Sequence, residues 1–379
     1  MNKSEQLCEA IGRRFFCRDF VFNNLKKHIT SNNKRVELCD ALFECCNNYL
    51  IFQIKERNVA DHDEGKTEEE WFSKAVLEKA VKQISDTINY LNNDKVLLKD
   101  CYNQQEALDR EYSIYPIILF DNNKIKDYTK FIDLNGTLIN IFSLEDFEKL
   151  INSFVHPREV TDYLNIRVDY FTRLKKLPGL LIEESGQSTF AVNITSEADL
   201  FSHFHLLEYS FDKNKIIAAN KMMNIIELYR NKMLQANVNY KGVLRILMQI
   251  MPNDCHLFLD RYFQTIEDAK NNVFRFSRSL ILPLKKKDTV LLFLSSSKEK
   301  PLTEKHISII ADSKLLQHKK ERILIMYFSI FDGGKYDLNW ILYEKKLEYS
   351  EEAYTFYKEL GFYNGSASYE ILNKLATYQ

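Results

Sequence analysis

Asp40, Gln53 and Lys55 bring a carboxylate, an amide and an ammonium into two largely apolar runs, Val36 to Phe43 and Tyr49 to Ile54, separated by the polar pair Asn47-Asn48. An ionised Asp40 and the carbonyl of Gln53 are hard oxygen donors suited to Mg2+ or Mn2+. Mg2+ in particular keeps several waters and usually takes only one or two carboxylates from a protein. A lysine beside such donors can stabilise charge developing on a phosphate or help position an attacking water. The set points to metal-assisted hydrolysis of a phosphate ester.

For that chemistry the three groups must converge, and a hairpin supplies the means. Successive strand side chains point to opposite faces, so Tyr49, Ile51, Gln53 and Lys55 share one face while Leu50, Phe52 and Ile54 share the other. Asp40 falls with Val36, Leu38 and Leu42, and a turn at Asn47-Asn48 folds its strand back beside the second. A strand as apolar as Tyr49 to Ile54 is expected to be covered on both faces. Lys55 then needs a partner or a site, because burying an unpaired charge is costly. Glu37, three residues before Asp40, points away from it in a regular strand; a bulge would bring both to one place, so Glu37 is a further candidate.

Asp40, a gap of twelve residues, then Gln53-Ile54-Lys55 resembles the PD-(D/E)XK nuclease superfamily, within it the Mrr-like restriction endonucleases that write the second half-motif as Gln-x-Lys. The resemblance implies an N-terminal restriction-endonuclease-like mixed sheet flanked by helices. It also implies a divalent metal held by Asp40 and Gln53, with Lys55 assisting phosphodiester hydrolysis in DNA. Cys39 stands where the family has a proline before the aspartate. Many members add a glutamate from the first helix, and Glu5 or Glu9 occupies that place; Glu9 is carried forward as a metal ligand. A role in restriction or antiviral defence, with a partner protein of a defence system, follows from analogy with two-part effectors of this kind.

The segment after Lys55 fits the same order. Thr67 followed by Glu70 matches a capping box. Phe72, Val76, Ala80, Ile84 and Ile88 then recur at four-residue steps, with Trp71, Ala75, Leu77, Val81 and Leu91 widening the stripe of an amphipathic helix. Lys74 and Gln83 are placed to reach DNA or the site, though exposed helix positions carry Lys and Gln routinely.

Composition sets the outer limits. A chain of 379 residues, 45% hydrophobic and 13% aromatic, has material for two globular domains. Ten glycines and six prolines argue against long low-complexity linkers. No run has the length of a transmembrane helix and the N-terminus does not read as a signal peptide, so a cytoplasmic protein without membrane contact is expected. Seven cysteines, including the adjacent pair Cys45-Cys46, suit reduced thiols rather than a disulfide framework. A zinc site is disfavoured by the lack of a Cys-x-x-Cys pair, although His203 and His205 would share a face if they lay on a strand.

With 52 Lys plus Arg against 53 Asp plus Glu, DNA contact must come from local patches. Arg13-Arg14 with Arg18, Lys26-Lys27-His28 and Lys34-Arg35 are the candidates, and the acidic run Asp61 to Glu70 opposes them. Beyond the helix, Tyr112 to Phe120 and Leu138 to Ser143 read as strands, and Ser143 caps a helix. A further helix covers Pro157 to Lys175. Leu177-Pro178-Gly179 is the clearest break, dividing a nuclease-like domain over 1–177 from a mixed α/β accessory domain over 178–379 for recognition, regulation or oligomerisation. In the second part, helical periodicity covers Asn214 to Gln235 and Asp254 to Ala269, and strands are expected around Ser279, Thr289, Arg322 and Leu338. No phosphate-binding glycine loop, nucleophile elbow or kinase signature is present. The alternative to an enzyme is an inactive nuclease-fold platform that binds nucleic acid or supports assembly.

Overall fold

The run Tyr49 to Ile54 forms the middle of a central strand in the computed structural model, which describes residues 6, 10, 12, 18–29, 34–57, 65, 67–93, 96–100, 105–173, 180–185, 188–193, 197–208, 212–235, 240–282, 288–330 and 336–378. The protein is mixed α/β, and its contacts divide it into two units, Met1–Lys213 and Asn214–Gln379. The expected break at Leu177-Pro178-Gly179 lies outside the described residues. The elements immediately after it group with the first unit.

In the first unit, β1 (Val21–Ile29), β2 (Lys34–Cys45) and β3 (Asn48–Glu56) are antiparallel neighbours. Next come three contiguous helical stretches, α1 (Glu68–Trp71), the π-wound α2 (Phe72–Ala80) and α3 (Val81–Asn93). A short ribbon of β4 (Leu97–Lys99) and β5 (Gln105–Ala107) leads to β6 (Ser113–Asp121), β7 (Phe131–Leu134) and β8 (Thr137–Ser143). The main sheet runs β1-β2-β3-β6-β8-β7, with β3, β6 and β8 parallel. Then follow α4 (Leu144–Ser153), α5 (Arg158–Arg173), the hairpin of β9 (Leu180–Ser185) and β10 (Ser188–Asn193), and α6 (Glu197–Glu208).

Local chemistry sets these boundaries. The reversal after β2 uses Cys46 and Asn47, at φ of 51° and 60°, one residue earlier than the expected Asn47-Asn48 turn. Two consecutive left-handed residues make the tight hairpin turn whose twist matches the strands. Asn48 instead opens β3, its amide donating to the carbonyls of Cys45 (3.1 Å) and Cys46 (2.9 Å). Thr67 and Glu70 form the capping box in both directions. Ser143 caps α4 by accepting the Asp146 N–H at 3.0 Å. His203 and His205 lie on α6 rather than a strand, and a helix does not bring i and i+2 to one face.

The sheet is covered on both sides. Tyr49, Ile51, Ile118, Phe120, Ile139 and Ile141 pack under Phe72, Val76, Ala80, Ile84 and Leu91 of the helical run. The expected four-residue step holds through Ile84, but Thr87 rather than Ile88 takes the next fully buried place after the return to α winding. Phe52 and Phe142 on the opposite side meet Phe147 of α4 at ring-centroid distances of 5.5 and 5.7 Å.

Arg167 is fully buried beside this second core, at the core-facing position that Val160, Tyr163 and Leu164 also occupy on α5. Its guanidinium is matched by acceptors around its rim: Glu197 Oε1 at 2.5 Å, the Lys130 carbonyl and Asn140 Oδ1 at 2.8 Å, and the Ile141 carbonyl at 3.0 Å. It also lies 4.0 Å from the centre of the Phe142 ring. One side chain thus ties α5, α6, β8 and the chain leading into β7. A planar fork suits this role in a way a lysine does not.

The second unit carries α7 (Lys213–Gln235), α8 (Lys241–Leu247), α9 (Cys255–Lys270), β11 (Arg275–Leu282), β12 (Thr289–Ser295), α10 (Glu304–His318), β13 (Arg322–Ile330), β14 (Tyr336–Glu344), α11 (Glu351–Glu359) and α12 (Tyr369–Tyr378). Its sheet runs β11-β12-β13-β14, parallel only between β12 and β13, which α10 connects. Phe258 and Tyr262 of α9 cover one face and α10 with its neighbours the other. Lys314, fully buried, donates to the Phe362 carbonyl (3.0 Å) and Gln317 (2.9 Å), and burial pushes its pKa down to about 8.

Removing one partner of a buried ion pair strands the other. Arg167→Met is therefore expected to cost the first unit about 3 kcal/mol in urea-unfolding free energy. A loss below about 1 kcal/mol, the range of surface pairs, would mean that this network does not hold the unit together.

Candidate functional site

The paired ladder between β2 and β3 stops at Ala41 opposite Phe52, and the chain of β2 becomes irregular just before it. On the β1 side, Leu25 pairs with Cys39 while Lys26 pairs with Glu37, leaving Leu38 as an extra residue. That is a β-bulge. Cys39 and Leu42 both pack in the cluster under the helices.

Asp40 sits in this irregular stretch, half-buried, and its Oδ2 accepts the backbone N–H of Ile54 at 2.5 Å. The carboxylate thus docks on the peptide between Gln53 and Lys55. One such bond uses one of roughly four lone-pair sites on an ionised carboxylate. Gln53 is only 1% exposed. Its Nε2 donates to the Leu38 carbonyl at 2.9 Å and its Oε1 accepts from Lys55 Nζ at 3.4 Å, which fixes the sense of the amide. Thr87 of α3 lies against the same Leu38 carbonyl and against the Gln83 carbonyl (2.8 Å).

Asp40, Gln53 and Lys55 are therefore brought together at the end of the hairpin. Regular alternation would point Glu37 away from Asp40, and a bulge at Leu38 lies between them, while the Glu37 side chain and the whole of Glu9 lie outside the described residues. The basic side chains of Arg13, Arg14, Lys26, Lys27, Lys34 and Arg35 lie outside them too. Gln83 reaches inward, its Oε1 buried without a hydrogen-bond partner.

The donor chemistry at Asp40 and Gln53 fits a hard divalent cation that keeps most of its waters. Gln53 Oε1 already faces Lys55 Nζ, so a cation on that oxygen would compete with the ammonium for it. Among the described residues no group of three or more His, Cys, Asp or Glu side chains converges on a metal position.

Sequence reading missed the clamp just beyond Lys55. Glu68, at the start of α1, binds Arg57, accepts from the Asn122 amide at 2.6 Å and pairs with Lys124 at 3.2 Å. The Asn122 hydrogen bond, with Lys124 and Arg57 adding to it, pushes its pKa down to about 2. This ties the end of β3 to the turn after β6 and to the helix that covers Gln53. An acid opening a capped helix was legible as a dipole complement, but its partners were not.

No family model, curated protein or solved structure matches the chain. Among the described residues no helix is long and apolar enough to cross a membrane.

A carboxylate with a depressed native pKa contributes stability that is present above its unfolded value and lost as pH falls through the native one. Acid unfolding between about pH 4.5 and pH 2 should accordingly be shallower in Glu68→Gln than in the wild type. Superimposable acid-unfolding curves by circular dichroism would show that the clamp carries no net stability.

Proposed function

We propose that the first unit is a metal-dependent nuclease of the PD-(D/E)XK type, an endonuclease that hydrolyses phosphodiester bonds in DNA with Mg2+ or Mn2+. The observation that carries this reading is the docking of the Asp40 carboxylate on the peptide between Gln53 and Lys55. It places a hard oxygen pair and an ammonium at one end of a hairpin, under a helix. A divalent cation held by Asp40 and Gln53 would acidify a bound water. Lys55, released from Gln53 Oε1, would set its charge against the non-bridging phosphate oxygens as negative charge builds there. Gln53, held by the Leu38 carbonyl, would keep its oxygen aimed while Lys55 moves.

The second unit is read as an accessory module for target recognition, regulation or self-association. Cytoplasmic restriction or anti-phage defence is the setting that the resemblance suggests. A second reading, an inactive platform that binds nucleic acid, is favoured by the burial of Gln53 and its satisfied amide.

Cleavage of plasmid, linear and single-stranded DNA with Mg2+ or Mn2+ tests the proposal. Lys55→Ala should reduce the rate by about 10²-fold or more with folding intact, and wild-type rates in the folded variant would remove Lys55 from the mechanism. Asp40→Asn should weaken cation binding by calorimetry about tenfold, the effect of removing a charged ligand. Equal affinity in both proteins would show the ligand set to be wrong, and no cleavage of any substrate would favour the platform.

A further inference from the structure

On the face of the sheet opposite Gln53 and Lys55, a cavity of about 330 Å3 opens between α4, α5 and α6. We propose that it binds a small anion carrying an aromatic ring, with the size and chemistry of a nucleoside monophosphate. The volume is at the low end of small-molecule sites, roughly 300–1,000 Å3, which suits one nucleotide better than a strand of nucleic acid.

The walls divide by chemistry. Phe142, Leu150, Tyr163 and Phe201 supply the apolar part, with the rings of Tyr163 and Phe201 held edge-to-face at 5.8 Å. Phe142 and Tyr163 are buried behind the wall, so the half-buried Phe201 is the ring that meets a ligand, and one aromatic face accepts a base or similar ring without reading its identity. The polar part holds Lys126, Lys130 and Lys149 against Asp146 and Glu197.

Charge commitment decides the sign the ligand meets. Glu197 is taken by the buried Arg167 and by the Tyr163 hydroxyl at 3.5 Å. Asp146 accepts the Tyr128 hydroxyl at 2.8 Å. Lys130 keeps its Nζ 3.5 Å from Glu197 and 3.6 Å from the Tyr128 ring centre. Lys126 is exposed, and Lys149 is paired along its own helix with Glu145 at 2.5 Å, a surface pair of the kind that contributes little stability. Glu197 is thus held by Arg167 and Tyr163, Asp146 carries one hydrogen bond at an exposed position, and two lysines stand at the rim. A smaller hollow of about 190 Å3 over the ends of β6 and β8 shares Lys126, Asp146 and Lys149 with the cavity and adds Asp121 and Glu145, so the anion is expected in the larger cavity, near the carboxyl ends of parallel strands where open α/β sheets bind ligands.

Isothermal titration calorimetry of the full chain in EDTA, with adenosine and guanosine monophosphates, adenosine, inorganic phosphate and a short oligonucleotide as titrants, tests this. A nucleoside monophosphate should bind more tightly than adenosine or phosphate alone. The double variant Lys126→Glu, Lys149→Glu, both at exposed positions, should weaken it by about tenfold or more while its thermal unfolding stays unchanged. Asp40→Ala should leave binding intact, which separates this cavity from the proposed nuclease site. Absence of nucleotide binding to millimolar concentration, binding untouched by the double variant, binding lost in folded Asp40→Ala, phosphate alone binding equally well, or binding of the oligonucleotide only would each overturn the proposal.

Discussion

The carbonyl of Leu38 is where the first unit's main sheet and its covering helices are pinned to one another. The bulge gives β2 one residue more than β1 requires, so this carbonyl leaves the regular ladder and needs donors elsewhere. Gln53 from the neighbouring strand supplies one, and Thr87 from the helix above lies against it. A buried amide and a buried hydroxyl are tolerated there because each has a partner. Asp40 lies just past the last β2–β3 pair, and its side chain takes the Ile54 N–H there.

Charge is distributed around this point by commitment rather than by abundance. The near balance of acidic and basic residues says little, since what matters is which groups are already satisfied. Glu68 is held by three donors at the end of β3, and Glu197 by Arg167 on the other face. Fixed acids of this kind orient the elements next to them. The second unit solves a similar problem differently, burying the single ammonium of Lys314 against the Phe362 carbonyl.

Much of the fold was legible because the signals were local. Doubly covered β3 followed from a largely apolar run, the starts of α1 and α4 from Thr67-Glu70 and Ser143, and the helices α7 and α9 from their periodicity. Where reading and structure part, the cause is a competing local interaction. Asn48 spends its side chain on two preceding carbonyls and so begins a strand instead of completing a turn.

The sequence by itself determined which residue types stand on the hairpin and that Gln53 and Lys55 share a face, since strand periodicity is a property of the backbone. Only the tertiary structure decided that Leu38 bulges, that Asp40 docks on the peptide between them, and that Arg167 turns Glu197 toward a cavity. Those outcomes depend on which donor meets which acceptor across strands and helices far apart in the chain. Such pairings are chosen by the cost of leaving a buried polar group unmatched, and no spacing along one segment records them.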